Sequence, residues 1–176
     1  MDKTRLVREL ESAVGPQYVL HRPEDLLVYE YDGALDRALP HIVVLPASAG
    51  QVSQVVRIAR RYGVPVVPRG AGTGLSGGAI AVKGGILLVL TRMRRILEID
   101  PVNLLAVVEP GVVNLEVSQA AAPYGLYYAP DPSSQKACTI GGNVAENSGG
   151  LHCLAYGVTT NHVLGMEAVL ADGSLL

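Results

Sequence analysis

Phenylalanine and tryptophan are missing from these 176 residues altogether. The interior must then rest on Val, Leu, Ile and Ala, with eight tyrosines in support. Cysteine is scarce as well: Cys138 and Cys153 are too few for a disulfide framework and read as cytosolic thiols. His152 beside Cys153 invites a metal reading. Adjacent residues of an extended chain point opposite ways, however, and no second Cys/His pair stands at ligand spacing, so no metal is expected. Charge of one sign is lacking too, with a formal net charge of −2 and scattered Lys and Arg. That gives no electrostatic reason for a nucleic-acid partner. The densest basic group, Arg92, Arg94 and Arg95, reads as a solvated strand edge. No apolar run approaches the ~20 residues that span a bilayer, and no apolar stretch follows Met1–Arg5 as a signal peptide would require. The expected setting is the cytoplasm.

What the chain does have is helical periodicity, short apolar runs and many glycines. Leu6, Val7, Leu10 and Val14 share one face of a helix over Lys3–Val14, ended by Gly15-Pro16. Residues 18–40 read as mostly loop, with a short helix starting at Pro23. His41–Leu45 has the pattern of a strand buried on both faces. Ser48 and Gln51 form a capping signature for a second helix with Val52, Val55, Val56 and Ala59 inward, closed by Gly63. Val64–Val67 then completes a parallel β-α-β unit with a right-handed crossover. Ile86–Leu90 reads as a third strand, and Ile96–Ile99 with Leu105–Val108 as a hairpin around Asp100–Asn103. Asn114 is placed to cap a helix over Leu115–Ala122. Tyr127–Ser134 reads as extended loop, Val163–Leu170 as a strand, and Asp172-Gly173 as a hairpin turn that leaves only three residues for the return. The expected organisation is a helix and lead-in over 1–38, a first subdomain over 39–100 and a second, truncated one over 101–176.

The densest signal is the run from Pro68 to Gly78, with five glycines in the nine residues from Gly70. Glycine lets a backbone turn its amides toward a ligand and lets that ligand come close, and a guanidinium beside such amides suits a pyrophosphate. A nicotinamide fingerprint requires the glycines to open a helix, whereas Ala79-Ile80-Ala81-Val82-Lys83-Gly84-Gly85 follows here; position 75, where its third glycine belongs, is Leu. A Gly-Lys-Ser/Thr phosphate loop is absent. The amides must therefore work as a wrapped loop without a helix dipole. Arg69 has a plainer alternative as a surface salt bridge.

Three segments, in order, carry a resemblance. Pro68–Gly78 resembles the pyrophosphate loop of FAD-linked oxidases of the vanillyl-alcohol-oxidase type. Pro130–Ser134 with Thr139–Gly150 resembles that family's second flavin segment, and Tyr156–Thr159 leading to Val163–Glu167 its third. The segments span residues 40–176, and within the family the chain looks nearest to the group of glycolate oxidase D subunits and FAD-linked D-lactate dehydrogenases. The resemblance implies an α+β fold of the FAD-binding PCMH type (an α/β sandwich). It would have a small parallel β-α-β subdomain, a second, incomplete and mainly antiparallel subdomain, and FAD between them. It implies that Pro68, Arg69, Gly70, Ala71, Gly72, Thr73, Gly74, Ser76 and Gly77 hold the pyrophosphate. Pro130, Asp131, Pro132, Ser133, Ser134, Thr139, Gly141, Gly142, Asn143 and Ala145 would line the ribityl and flavin region. Asn147, Ser148, Gly149, Gly157 and Val163 would complete the cofactor cleft. Some relatives link flavin covalently through a histidine in the first loop; Thr73 occupies that neighbourhood, which implies non-covalent FAD.

By the same resemblance the whole enzyme oxidises a small 2-hydroxy acid, of the glycolate or D-lactate type, to the 2-oxo acid and passes electrons to another acceptor. Other oxidase subunits, an iron–sulfur electron-transfer subunit among them, would be partners, with any membrane association peripheral and through them. The redox chemistry belongs to the cofactor. No catalytic residue can be named, because the sequence pairs no base with a proton to abstract, and the 176 residues alone are expected to lack turnover. Two alternatives stay open: a non-catalytic flavin-binding subunit or module, and a flavin-dependent reductase of the same fold.

Overall fold

The computed structural model describes residues 2–176. It divides into two compact units, one running to Arg92 and including Glu167–Leu176, the other Met93–Met166. The boundary thus lies before the hairpin, rather than at residue 100. The strands of that hairpin pair with each other and so belong together.

In the first unit, α1 (Lys3–Val14) buries Leu6, Val7, Leu10 and Val14, the four residues its periodicity selects. The Asp2 side chain caps it by accepting from the Arg5 amide. A two-residue strand β1 (Val19–Leu20) follows where the sequence suggests loop, and the short helix α2 (Pro23–Leu26) starts at Pro23 as expected. β2 (Ile42–Val44) is completely buried. In α3 (Ala49–Tyr62), Ser48 Oγ accepts from the Gln51 amide while Gln51 Oε1 reaches back to the Ala47 amide at 2.7 Å. Its buried face is Val52, Ser53, Val55, Ile58 and Ala59, with Val56 at the margin. Gly63, in the left-handed region, closes the helix.

β3 spans Val66–Arg69, two residues later than the apolar run implies. The Val64 amide is taken by Ala59 O at the end of α3, so the ladder to β4 (Ile86–Val89) begins at Val66↔Ile86. The sheet order is β1-β2-β4-β3, with β2, β4 and β3 parallel and β1 antiparallel at the edge. Val43, Leu87, Val89 and Leu26 form a buried cluster on this sheet. This is the expected parallel subdomain, with β4 inserted between the two strands of the β-α-β unit.

The strand expected over Val163–Leu170 is not formed. Only the end of that stretch pairs, Ala168 with Leu176 and Leu170 with Ser174, around the expected Asp172-Gly173 turn. A strand needs a partner as well as an apolar sequence, and among the described residues 163–167 have none. Ser53 Oγ and Arg57 of α3 donate to Gly173 O at 2.5 and 3.1 Å.

The second unit opens with β5 (Ile96–Asp100) and β6 (Leu105–Val108), an antiparallel pair. Asp100 makes the turn, accepting from the amides of Val102 and Asn103 at 2.9 and 3.0 Å. Buried Glu109 accepts from the Arg95 amide and from its guanidinium, which holds the carboxyl below its usual range. Then come α4 (Asn114–Ala121), α5 (Ile140–Glu146) and the single turn α6 (Cys153–Tyr156). Asn114 is not the expected cap. Its side chain is buried, and Glu116 instead accepts from the Val113 amide at 3.2 Å.

Candidate functional site

β3 delivers the chain into the glycine loop at Arg69, whose backbone still pairs with Val89. Beyond it no helix forms through residue 85, as the residues after Gly78 imply. The amides of Ala71, Gly72, Thr73, Gly74 and Leu75 donate to no other group among the described residues. They form an exposed or half-exposed run of backbone donors. That is the donor set an anionic, oxygen-rich ligand requires.

Arg69 is neither a surface residue nor part of a salt bridge. It is 8% exposed, donates from Nη1 to Tyr31 O at 2.7 Å and lies 5.9 Å from the Tyr29 ring centroid. Burial pushes its pKa below the usual guanidinium value, and the nearby Asp32 carboxylate counters this. A Cβ on Gly72 would overlap the guanidinium, so glycine there lets the loop lie on the arginine.

The floor of the loop is a segment that the sequence does not single out. A Cβ on Gly33 would stand 2.6 Å from Gly74 O and 3.0 Å from Thr73 O, which places the turn at 31–34 directly against the loop. Asp32 in that turn accepts from the Ala34 amide at 2.7 Å, and its second oxygen is buried without a partner. The available signal was Asp32-Gly33, a turn dipeptide directly after Tyr31.

The second unit collects the remaining expected residues. Pro130 and Pro132 are buried. Asp131 between them accepts from the His152 amide at 3.0 Å, and its other oxygen meets His152 Nδ1 at 2.7 Å. These contacts, the amide bond foremost, hold the Asp131 carboxyl below its usual range. A Cβ on Gly150 would overlap Asp131 O, so the 130–132 and 150–152 segments touch through bare backbone. Around His152 lie the rings of Tyr127 and Tyr156, at 6.0 and 6.3 Å between centroids. The Asp131–His152 pair is a feature that sequence spacing alone could not reveal.

Thr139 precedes α5 and bridges to Val113. Gly141, Gly142 and Ala145 lie on α5, and Asn147 ends it in the left-handed region at φ 51°. Ser148 O accepts both the amide and the hydroxyl of Thr159, and the Thr160 amide donates to Asn147 Oδ1. Ser133 is exposed, Ser134 half-buried, and Gly149, Gly157 and Val163 follow within this unit. Thr139 and Asn143 are enclosed, at 3% and 1% exposure. The structure thus gathers Pro68–Gly77 in one unit and Pro130–Val163 in the other.

The two observations fit a flavin dinucleotide. Free loop amides suit phosphate oxygens, and the unpartnered Asp32 oxygen, which accepts, suits a hydroxyl of the dinucleotide rather than its phosphates.

Comparison with known proteins agrees. The FAD binding domain family matches residues 40–176. The chain is 51% identical to the glycolate oxidase subunit GlcD of Escherichia coli K12, over all of this chain and 36% of that protein. It is 38% identical to the D-2-hydroxyglutarate dehydrogenase of Stutzerimonas stutzeri, over all of this chain and 38% of that one. Among solved structures, the 4-ethylphenol oxidase of Gulosibacter chungangensis superposes with a TM-score of 0.82 at 31% identity, covering 98% of this chain and 34% of the other. The chain therefore spans little more than a third of the length of these curated relatives.

Proposed function

Because the chain belongs to the FAD-binding domain family, its cofactor is FAD, and we propose that it is the part of a flavoprotein that holds FAD non-covalently for the oxidation of a small 2-hydroxy acid to the 2-oxo acid. The observation that carries this reading is the glycine loop with its amides free, in a chain 51% identical along its whole length to a glycolate oxidase subunit. A second relative acting on a 2-hydroxy acid supports the same substrate class.

In this reading the Ala71–Leu75 amides take the pyrophosphate oxygens, and Arg69 beneath them contributes positive charge without leaving its bond to Tyr31 O. The Pro130–Ser134 and Gly141–Ala145 segments line the flavin. Thr73 offers no nucleophilic imidazole for a covalent link. FAD, when bound, supplies the hydride-accepting chemistry. The chain's residues bind and orient it, and turnover requires residues matching the rest of the relatives' length. Other oxidase subunits, including an iron–sulfur electron-transfer subunit, receive the electrons in a cytoplasmic complex. No described helix is long and apolar enough to cross a membrane.

The test is a graft. Replacing the matching third of the Escherichia coli subunit and loaded with FAD, the chain should give anaerobic bleaching of the flavin band by glycolate or D-lactate and none by acetate. A loaded graft that no 2-hydroxy acid bleaches contradicts the substrate class. Bleaching by the chain alone contradicts the need for further residues.

A further inference from the structure

Asn114 lies far from every glycine-rich motif in sequence, at the start of α4, and is 1% exposed. A buried primary amide must use both its N–H donors or lose their hydration uncompensated. Asn114 Nδ2 donates to Pro130 O at 3.0 Å and to Asn143 Oδ1 at 2.9 Å. Asn143 passes the connection on, its own Nδ2 reaching Cys138 Sγ at 3.3 Å and Ser148 Oγ at 3.2 Å. The backbone reinforces the same junction, with the Asn114 amide donating to Cys138 O at 2.9 Å and the Leu115 amide to Gln135 O at 3.0 Å. One side chain from outside the motifs therefore joins Pro130, Asn143 and, through Asn143, Ser148.

We propose that Asn114 is a positioning residue of the flavin site: through its paired hydrogen bonds to Pro130 O and Asn143 Oδ1 it sets how the 130–134 segment and α5 are presented to the flavin ring. The inference rests on the reading that these segments line the flavin. It assigns Asn143 to the scaffold, its side chain turned into the network. An apolar residue of similar size at 114 leaves Pro130 O without its side-chain donor and Asn143 Oδ1 with only the long contact from Cys138 Sγ at 3.8 Å, and the two segments lose their common reference.

The experiment compares the chain with its Asn114→Leu and Asn114→Asp variants, using FAD and FMN as probes. Flavin affinity is read by fluorescence and ring geometry by the visible circular dichroism of the saturated complex. Asn114→Leu should weaken both flavins about tenfold, as loss of a buried hydrogen-bond pair predicts. It should also change the visible dichroism at saturation. Asn114→Asp keeps the shape and loses the donors, so it should change the dichroism while the far-ultraviolet spectrum stays that of the parent. Variants that bind flavin with parental affinity and parental visible dichroism overturn the proposal, whatever their melting temperatures. A parent chain that binds neither flavin overturns the functional reading itself and this inference with it.

Discussion

The loop at 70–78 and the segment at 139–150 are both rich in glycine, and the structure uses that glycine in opposite ways. In the first, a Cβ on Gly74 would meet nothing within 4 Å, and the neighbouring amides have no partner among the described residues. In the second, α5 buries Asn143, and Gly150 lies bare against Asp131 O. One segment keeps its backbone available to a ligand. The other spends its glycines on bringing protein segments into contact, and fixes them with a buried amide network. Glycine content alone does not separate these uses; the fate of the neighbouring N–H groups does.

Exchanging alanine into each segment breaks the comparison most forcefully. Gly150→Ala drives a Cβ into a carbonyl oxygen and should cost about 3 kcal/mol or more, read as a lowered urea midpoint. Gly74→Ala should leave stability within about 0.5 kcal/mol while weakening FAD severalfold, because the added methyl stands where the ligand approaches. Next in size is Arg69→Met, which removes a buried donor from Tyr31 O. It should destabilise the chain by roughly 1–3 kcal/mol even without FAD, as expected of a strut beneath the loop.

A smaller effect is read on the acid side, at the contact between Asp131 and His152. The Asp131 carboxyl is held below its unfolded value of about 3.9, so its contribution is complete above that value and is lost as pH falls through the folded one. Glu109 shifts in the same direction. Stability of the parent should fall more steeply on the acid side than that of Asp131→Asn, as measured by denaturant midpoints from pH 6 down to roughly pH 3. Least is expected from Arg61→Ala: its pair with Glu9 is largely exposed, and the change should stay within about 0.5 kcal/mol.

Much of the first unit is legible in sequence because local rules decide it. Periodicity marks α1, Ser48 and Gly63 bound α3, and Asp100 writes the turn of the hairpin in the second unit. What escapes is set by tertiary partners. The start of β3 depends on which amide the end of α3 consumes. Asn114 has the chemistry of a cap, yet its neighbours turn it inward. The apolar stretch at 163–167 has strand composition and no strand partner among the described residues. In the site, the glycine positions were readable. The Tyr29–Gly33 floor and the Asp131–His152 pair were not, because folding brings together residues about forty and twenty positions apart.

The account is tested most directly by adding FAD to the purified chain, removing the excess, recording the visible spectrum and then precipitating with acid. It predicts a bound flavin band at about one per chain, with the yellow colour released into the supernatant. A chain that retains no flavin, or a pellet that keeps the colour through denaturation, would contradict it.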